Sequence, residues 1–348
     1  MDVGLFLTFD RHRDMTQADA FDQAFTEIDL AEDVGLHSVW LAEMHFAGDR
    51  SVLASPLVVA SAIAARTKQL RMGTAVQVLP LTNPVRLAEE VATLDHISQG
   101  RFDFGIGRSG LARSYVGYNI PYAESQGRFY ECLDILRKAW TEDAFSYEGE
   151  FYSYHNVAVS PKPYQQPYPP IRMAAGSNET YPMVGRMGLP IFLSLRTVSI
   201  EDLQLSVADY RRAWHDAGQA GEPDLAMRIP VYVADNVEDA LSEPQEGMMS
   251  FFRNLGQMVV QSGSEGRELN DERAQRANRL AEISYEEVLQ EKVAFGTPDM
   301  VVERLQQLRD ELGLSMVIAE VSTGLRLPPD RVLNSIRLLG EEVAPNLA

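Results

Sequence analysis

The chain has 348 residues, 45% of them hydrophobic, with 31 Lys+Arg against 50 Asp+Glu and a formal net charge of −19. That composition is globular and excludes general disorder, and the acidic balance excludes a nucleic-acid surface or an anionic membrane as partner. One cysteine, Cys132, excludes an intrachain disulfide framework and any multi-cysteine metal or Fe–S site. Asp2 and Asp10 flank the first apolar run, so no secretory leader is expected. The longest apolar stretch, Pro56–Ala65, falls short of the ~20 residues of a membrane helix. A soluble, cytoplasmic protein is expected.

Strand-like and helix-like segments alternate along the chain. Val3–Phe9 reads as a strand and Ala18–Gly35 as a helix with Phe21, Phe25, Ile28 and Ala31 at helical spacing. Ser38–Met44 and Ala54–Arg66 form the next pair, then Leu70–Val78 and Pro84–Ser98, opened by a proline. Arg101–Ile106 and Glu124–Thr141 follow, the latter with Leu133, Leu136 and Trp140 on one face. The Tyr- and Pro-rich segment 145–170 predicts a hairpin-like insertion. Strands at Ile171–Ala175, Leu189–Leu195 and Met227–Ala234 alternate with helices at Glu179–Met187 and Ser199–His215. The segment 236–294 predicts a helical insertion, with a mobile excursion over Ser262–Gln275. Thr297-Pro298-Asp299 signals a helix start with Thr297 as N-cap. Ser315–Val321 completes eight strands and Pro329–Val343 eight helices. No antiparallel meander or internal repeat interrupts them, so the expected fold is α/β, a single (β/α)8 TIM barrel over residues 1–348.

Chemistry in such a barrel sits at the C-terminal ends of the strands. Gly105, Gly107 and Gly110 spell GxGxxG after a strand, but Leu111–Tyr122 reads as a loop, and Glu124 opens a helix instead of closing a strand. These glycines therefore read as positions where the backbone packs closely against a neighbour, not as a nicotinamide loop. Arg108 reads either as a surface arginine paired with a carboxylate or as a phosphate clamp. Ala175-Gly176-Ser177-Asn178 reads either as an ordinary helix start or as an anion site of amides and a hydroxyl. On neighbouring strands, the two favour a phosphate-bearing cofactor. Of six histidines only His12 and His45 lie at active-face positions. No ligand cluster indicates a metal, and Cys132 reads as packing. Tyr115, Tyr118, Phe46, Leu79 and Met173 are candidates for an apolar pocket.

Taken together, Leu41-Ala42-Glu43-Met44-His45-Phe46, Gly73–Pro80 with Asn83–Glu90, Leu94-Asp95 through Gly100–Arg108, Pro161-Lys162-Pro163 with Pro167–Ile171, and Phe295–Pro298 resemble the bacterial luciferase-like flavin monooxygenases, in order and over nearly the whole chain. The resemblance implies the same barrel. It also implies a monooxygenase that binds reduced FMN, forms a C4a-(hydro)peroxyflavin with O2, and oxygenates a small organic substrate. The reduced flavin would come from a separate flavin reductase, and the chain would form a homodimer through Ala54–Arg66 and Arg86–Ser98. Arg108 matches the FMN-phosphate arginine, and Gly176, Ser177 and Asn178 the amides beside it. Thr74-Ala75 matches a non-proline cis peptide behind the isoalloxazine, and Ser194 a further position near the flavin. Two departures stand out. Met44 occupies the place of the first of two histidines, assigned acid/base work in luciferases, and a thioether cannot move a proton. That leaves His45, His12 or a reaction needing no side-chain base. Ala175 replaces a glutamate found near the phosphate. Two other functions remain: a deazaflavin-dependent oxidoreductase of the same superfamily, and a non-catalytic flavin-binding protein.

Overall fold

Eight parallel strands close into a barrel in the computed structural model, which describes residues 1–11, 15–264, 279–322, 324 and 326–347. The strands are β1 (Asp2–Leu7), β2 (Ser38–Leu41), β3 (Arg71–Thr74), β4 (Phe102–Gly107), β5 (Ile171–Ala174), β6 (Ile191–Ser194), β7 (Leu225–Val233) and β8 (Met316–Glu320). Each pairs with the next in sequence, and β8 returns to β1 through Asp2–Met316 to Leu5–Ala319. The helices that follow the strands are α1 (Gln17–Asp33), α2 (Pro56–Arg66), α3 (Pro84–Ser98), α4 (Ser125–Thr141), α5 (Thr180–Arg186), α6 (Ile200–Asp216), α7 (Pro298–Leu312) and α8 (Pro329–Leu338).

The period of two within each strand divides the core into two layers. Val3, Leu5 and Leu7 of β1, Ile191 and Leu193 of β6, and Met227, Ile229 and Val231 of β7 face outward to the helices. The opposite parity fills the barrel with Phe6, Trp40, Phe192, Ala226, Met316 and Ile318. Trp40 and Phe192 meet edge to face, with ring centroids 5.2 Å apart. Glycine makes room for them. A Cβ on Gly73 would lie 2.5 Å from the Trp40 ring, and one on Gly105 would lie 1.7 Å from the Thr74 carbonyl and 2.8 Å from Phe192. Gly107 similarly abuts Val76, at 2.4 Å. Close packing is thus the role of Gly105 and Gly107, as their sequence context indicates.

Helix ends follow local chemistry. Thr16 and Asp19 form a reciprocal capping box at α1, and Asn83 caps α3 ahead of Pro84. Thr297 stands at the N-cap of α7 but makes no side-chain cap bond there; Pro298 and the left-handed Gly313 bound that helix. The 145–170 insertion holds the expected hairpin, Phe145–Glu148 against Ser153–Val157. Two expected elements differ. The run Leu70–Val78 is not one strand: β3 stops at Thr74, a cis peptide joins Ala75 to Val76, and Gln77–Val78 pairs separately with β4. Leu111–Tyr122 is not all loop, because Ala112–Gly117 is helical and buries Tyr115. Of the Ser262–Gln275 excursion, only 262–264 fall among the described residues, as the end of the helix Gln245–Ser264. No helix among the described residues is long and apolar enough to cross a membrane.

Two predictions follow from this packing. Gly105→Ala drives a methyl into a main-chain carbonyl that cannot rotate away, so it should cost about 3 kcal/mol or more in urea unfolding; a loss below about 1 kcal/mol would mean the β3–β4 contact is loose. Burial of Glu27 on α1, beside Gln23 and near Asp10, pushes its carboxyl up to about 7. Between the ordinary carboxylate range and about 7, only the folded state keeps that proton, so stability falls as pH rises through that window, by about 3 kcal/mol at completion. Glu27→Gln should flatten this part of the pH–stability profile measured from pH 5 to 8.

Candidate active site

The C-terminal ends of the strands open into a cavity of about 1270 Å³, larger than the ~300–1,000 Å³ of a usual single-ligand pocket. Its floor is Phe6, from the interior layer, and one wall is Ala42, Glu43, Met44, Ala75, Val76 and Val78. Ser109–Leu111 and Arg113 follow β4, and the far side carries Arg196 and Arg228. The helix Gln245–Ser264 contributes Phe251 and Leu255 to the remaining side. The Ala75–Val76 wall is held from behind: Thr74 Oγ1 donates to the Gly105 carbonyl at 2.6 Å, and the Ala75 amide donates to the Leu41 carbonyl at 2.7 Å.

Glu43 is fixed at two points. One oxygen accepts from the Val78 amide at 2.8 Å, and the other lies 2.6 Å from His45 Nε2. His45 Nδ1 lies 3.2 Å from the Tyr118 hydroxyl, so protein groups occupy both ring nitrogens. His45 is buried and is not part of the cavity wall; Met44 is. His12 lies outside the described residues.

The remaining expected residues divide. Arg108 is half-buried, its carbonyl accepts the Tyr115 hydroxyl, and no carboxylate among the described residues pairs with its guanidinium. Gly176, Ser177 and Asn178 are exposed after β5, with Ser177 Oγ 2.8 Å from Thr180 Oγ1. Both segments emerge just beyond the Ile106–Met173 register pair of β4 and β5, so they leave the barrel side by side. Arg108, Thr74, Gly176–Asn178 and Ser194 are not part of the cavity wall; Ala75 is. The cis bond is one residue later than the resemblance implies, Ala75–Val76 in place of Thr74–Ala75. The proposed apolar lining is corrected too. Tyr115, Leu79 and Met173 are buried in packing, Phe46 and Tyr118 are surface-exposed, and none lines the cavity. Cys132 is buried in α4, and burial pushes its thiol up and away from nucleophilic use.

What the sequence reading missed is a cluster of arginines. Arg228 on β7 and Arg196 just past β6 both pair with Glu320 at the end of β8, the former at 2.9 Å, and Glu320 is wholly buried. Arg228 lies over the Phe6 ring at 4.2 Å and Arg196 over Phe251 at 4.8 Å. Burial pushes Arg228 down to about 10, aided by repulsion from Arg196 and Arg50; burial likewise lowers Arg50, aided by Arg196 and Arg113. The signal was available in the strand parity. Arg228 shares the inward phase of Ala226, and Arg196 that of Phe192 and Ser194.

A family model described as luciferase-like monooxygenase matches residues 1–315. The oxygenase component of a flavin-dependent trigonelline monooxygenase from Acinetobacter baylyi is 25% identical over 99% of this chain and 95% of its own length. Among solved structures, the monooxygenase RslO1 from Streptomyces bottropensis superposes with a TM-score of 0.82 at 26% identity, covering 100% of both chains. The oxygenating constituent of 3,6-diketocamphane monooxygenase from Pseudomonas putida, solved with FMN, has the same fold at a TM-score of 0.81 and 21% identity, over 100% of this chain and 99% of that one.

Two recessed guanidinium groups share Glu320 as their carboxylate partner, and removing it leaves both uncompensated. Glu320→Ala should lower unfolding stability by about 3 kcal/mol, and more than Arg196→Ala does. Denaturant titration of both variants checks the order.

Proposed function

Because the chain belongs to the luciferase-like monooxygenase family, a family of oxidoreductases, we propose that it is the oxygenase component of a two-component system. It would take reduced FMN from a separate flavin reductase and use O2 to oxygenate a small organic substrate. The observation that carries this reading is the cavity itself: about 1270 Å³ at the catalytic end of the barrel, enough for a flavin and a substrate together.

The residues present fit the cofactor. Ala75 and Val76 offer a wall of main chain and small side chains, kept shallow by Gly105 and Gly107 behind it, which suits the face of a flat ring. Thr74, which directly precedes that wall, and Ser194, at the end of β6, would lie near the flavin. Arg108, unpaired with any described carboxylate, and the exposed Gly176, Ser177 and Asn178 form the rim where a phosphate tail would be gripped. Reduced FMN, when bound, supplies the electrons with which O2 is activated. The chain's own groups position and exclude. Phe251 and Leu255 shield the mouth from water, while Met44 gives the reacting space an apolar surface where an imidazole would otherwise stand. In this reading His45 does not itself touch the substrate; it holds Glu43, the nearest fixed carboxylate on that wall. The outward helices α2 and α3 would pair two copies of the chain.

Arg108→Ala should raise the Kd for FMN at least 10-fold while leaving riboflavin nearly unaffected, since the clamp acts on phosphate alone. Equal losses for the two flavins, or wild-type binding of a deazaflavin in preference to FMN, would overturn the assignment. Fluorescence titration measures all three.

A further inference from the structure

The cavity is cationic in a chain of net charge −19. Six arginines line it, against Asp10, Glu43 and Asp49. Some of this charge is committed to structure: Arg11 donates to the Met15 and Gly48 carbonyls, and Glu43 accepts from the Val78 amide and contacts His45 Nε2. The arginines around the floor are different. Arg196 and Arg228 share one carboxylate, Glu320, so the pair retains a net positive charge. Arg113 keeps Nε and Nη2 buried with no hydrogen-bond partner, and Arg196 keeps Nε in the same state. Arg50 enters no ion pair with a described residue; Arg196 and Arg113 repel it, and Asp10 and Glu320 attract it. Gathering like charges and leaving their donors unused costs stability unless something completes them.

The Glu320 pair stands apart from the expected cofactor-phosphate grip. Arg196 follows β6, and Arg228 and Glu320 lie on β7 and β8, whereas Arg108 and Gly176–Asn178 follow β4 and β5; Arg50 follows β2 and Arg113 follows β4. Phe6 and Phe251 sit beneath the guanidinium groups, so an oxyanion and an adjoining apolar body are served together.

We infer that Arg50, Arg113, Arg196 and Arg228 form the substrate's anion-binding subsite, and that the substrate is a small organic acid whose carboxylate is held there while its apolar part lies toward Met44 and Val76. This inference rests on the oxygenase reading for the word substrate, but the subsite can be tested without flavin. Calorimetric titration of the wild-type chain with matched pairs, benzoate against benzamide and octanoate against octanamide, should favour each carboxylate at least 10-fold. Arg113→Met and Arg196→Met should each bring the carboxylate to the level of its amide. Because neither removes Glu320, a folded variant is expected, and circular dichroism checks it. Equal wild-type binding of acid and amide would overturn the subsite. So would variants that lose FMN at least 10-fold while keeping riboflavin, for the arginines would then serve the cofactor's phosphate. Carboxylate selectivity in a chain that ignores FMN would leave this inference standing and remove the oxygenase reading instead.

Discussion

Two aromatic rings inside a ring of strands set the terms for everything above them. Trp40 and Phe192 close the barrel's lower interior, and they fit only because Gly73 and Gly105 present no side chain toward them. The contact does more than fill volume. Gly105 lies against the Thr74 carbonyl, so β3 and β4 approach closely where the chain passes into Ala75–Val76. The same packing that seals the bottom of the barrel therefore shapes the wall of the cavity at its top. A larger residue at either glycine would be felt first in the fold and then in the site.

Above that plug, charge replaces hydrocarbon over a single turn of the strand pattern. Phe6 belongs to the interior layer and also carries Arg228 on its face. Glu320 continues the inward phase of Met316 and Ile318, yet it is a carboxylate with no exposed surface. Its partners come from the two preceding strands, so three staves of the barrel are tied at their ends by one ionic junction. Opposite this junction, Glu43 is tied by an amide and an imidazole. The cavity thus has one wall where a negative group is compensated and another where positive groups are only half compensated.

The order and type of the strands and helices were legible because each barrel strand buries both faces and each helix buries one, which leaves different periods in the sequence. Boundaries failed where main-chain geometry intervened without a matching change in side chains. Leu70–Val78 reads as a strand along its whole length, with Arg71, Thr74 and Gln77 as its polar positions, and nothing in its composition marks the break after Thr74. Tyr115 and Tyr118 flank Gly117 in a stretch that looks irregular, yet the first is enclosed and the second exposed. The cavity was legible by strand end, and Ala75, Glu43 and Met44 do line it. Its arginines were not, because each reads singly as a surface residue. Only the inward parity of three separate strands brings Arg196, Arg228 and Glu320 to one point, and that parity becomes informative once the barrel is known to close. His45 illustrates the converse: its position in sequence suggested the cavity, while its neighbour Met44 lines it.

The acidic exterior and the arginine-lined recess act on different length scales. At a distance, an approaching anion meets a strongly negative particle and is turned away; within a few ångströms of the floor it meets guanidinium groups in a poorly solvated hollow. Mobile ions screen the first field far more than the second. Moderate electrolyte therefore speeds the arrival of anions at this chain, the reverse of its effect on a protein whose outer and inner charges are both positive.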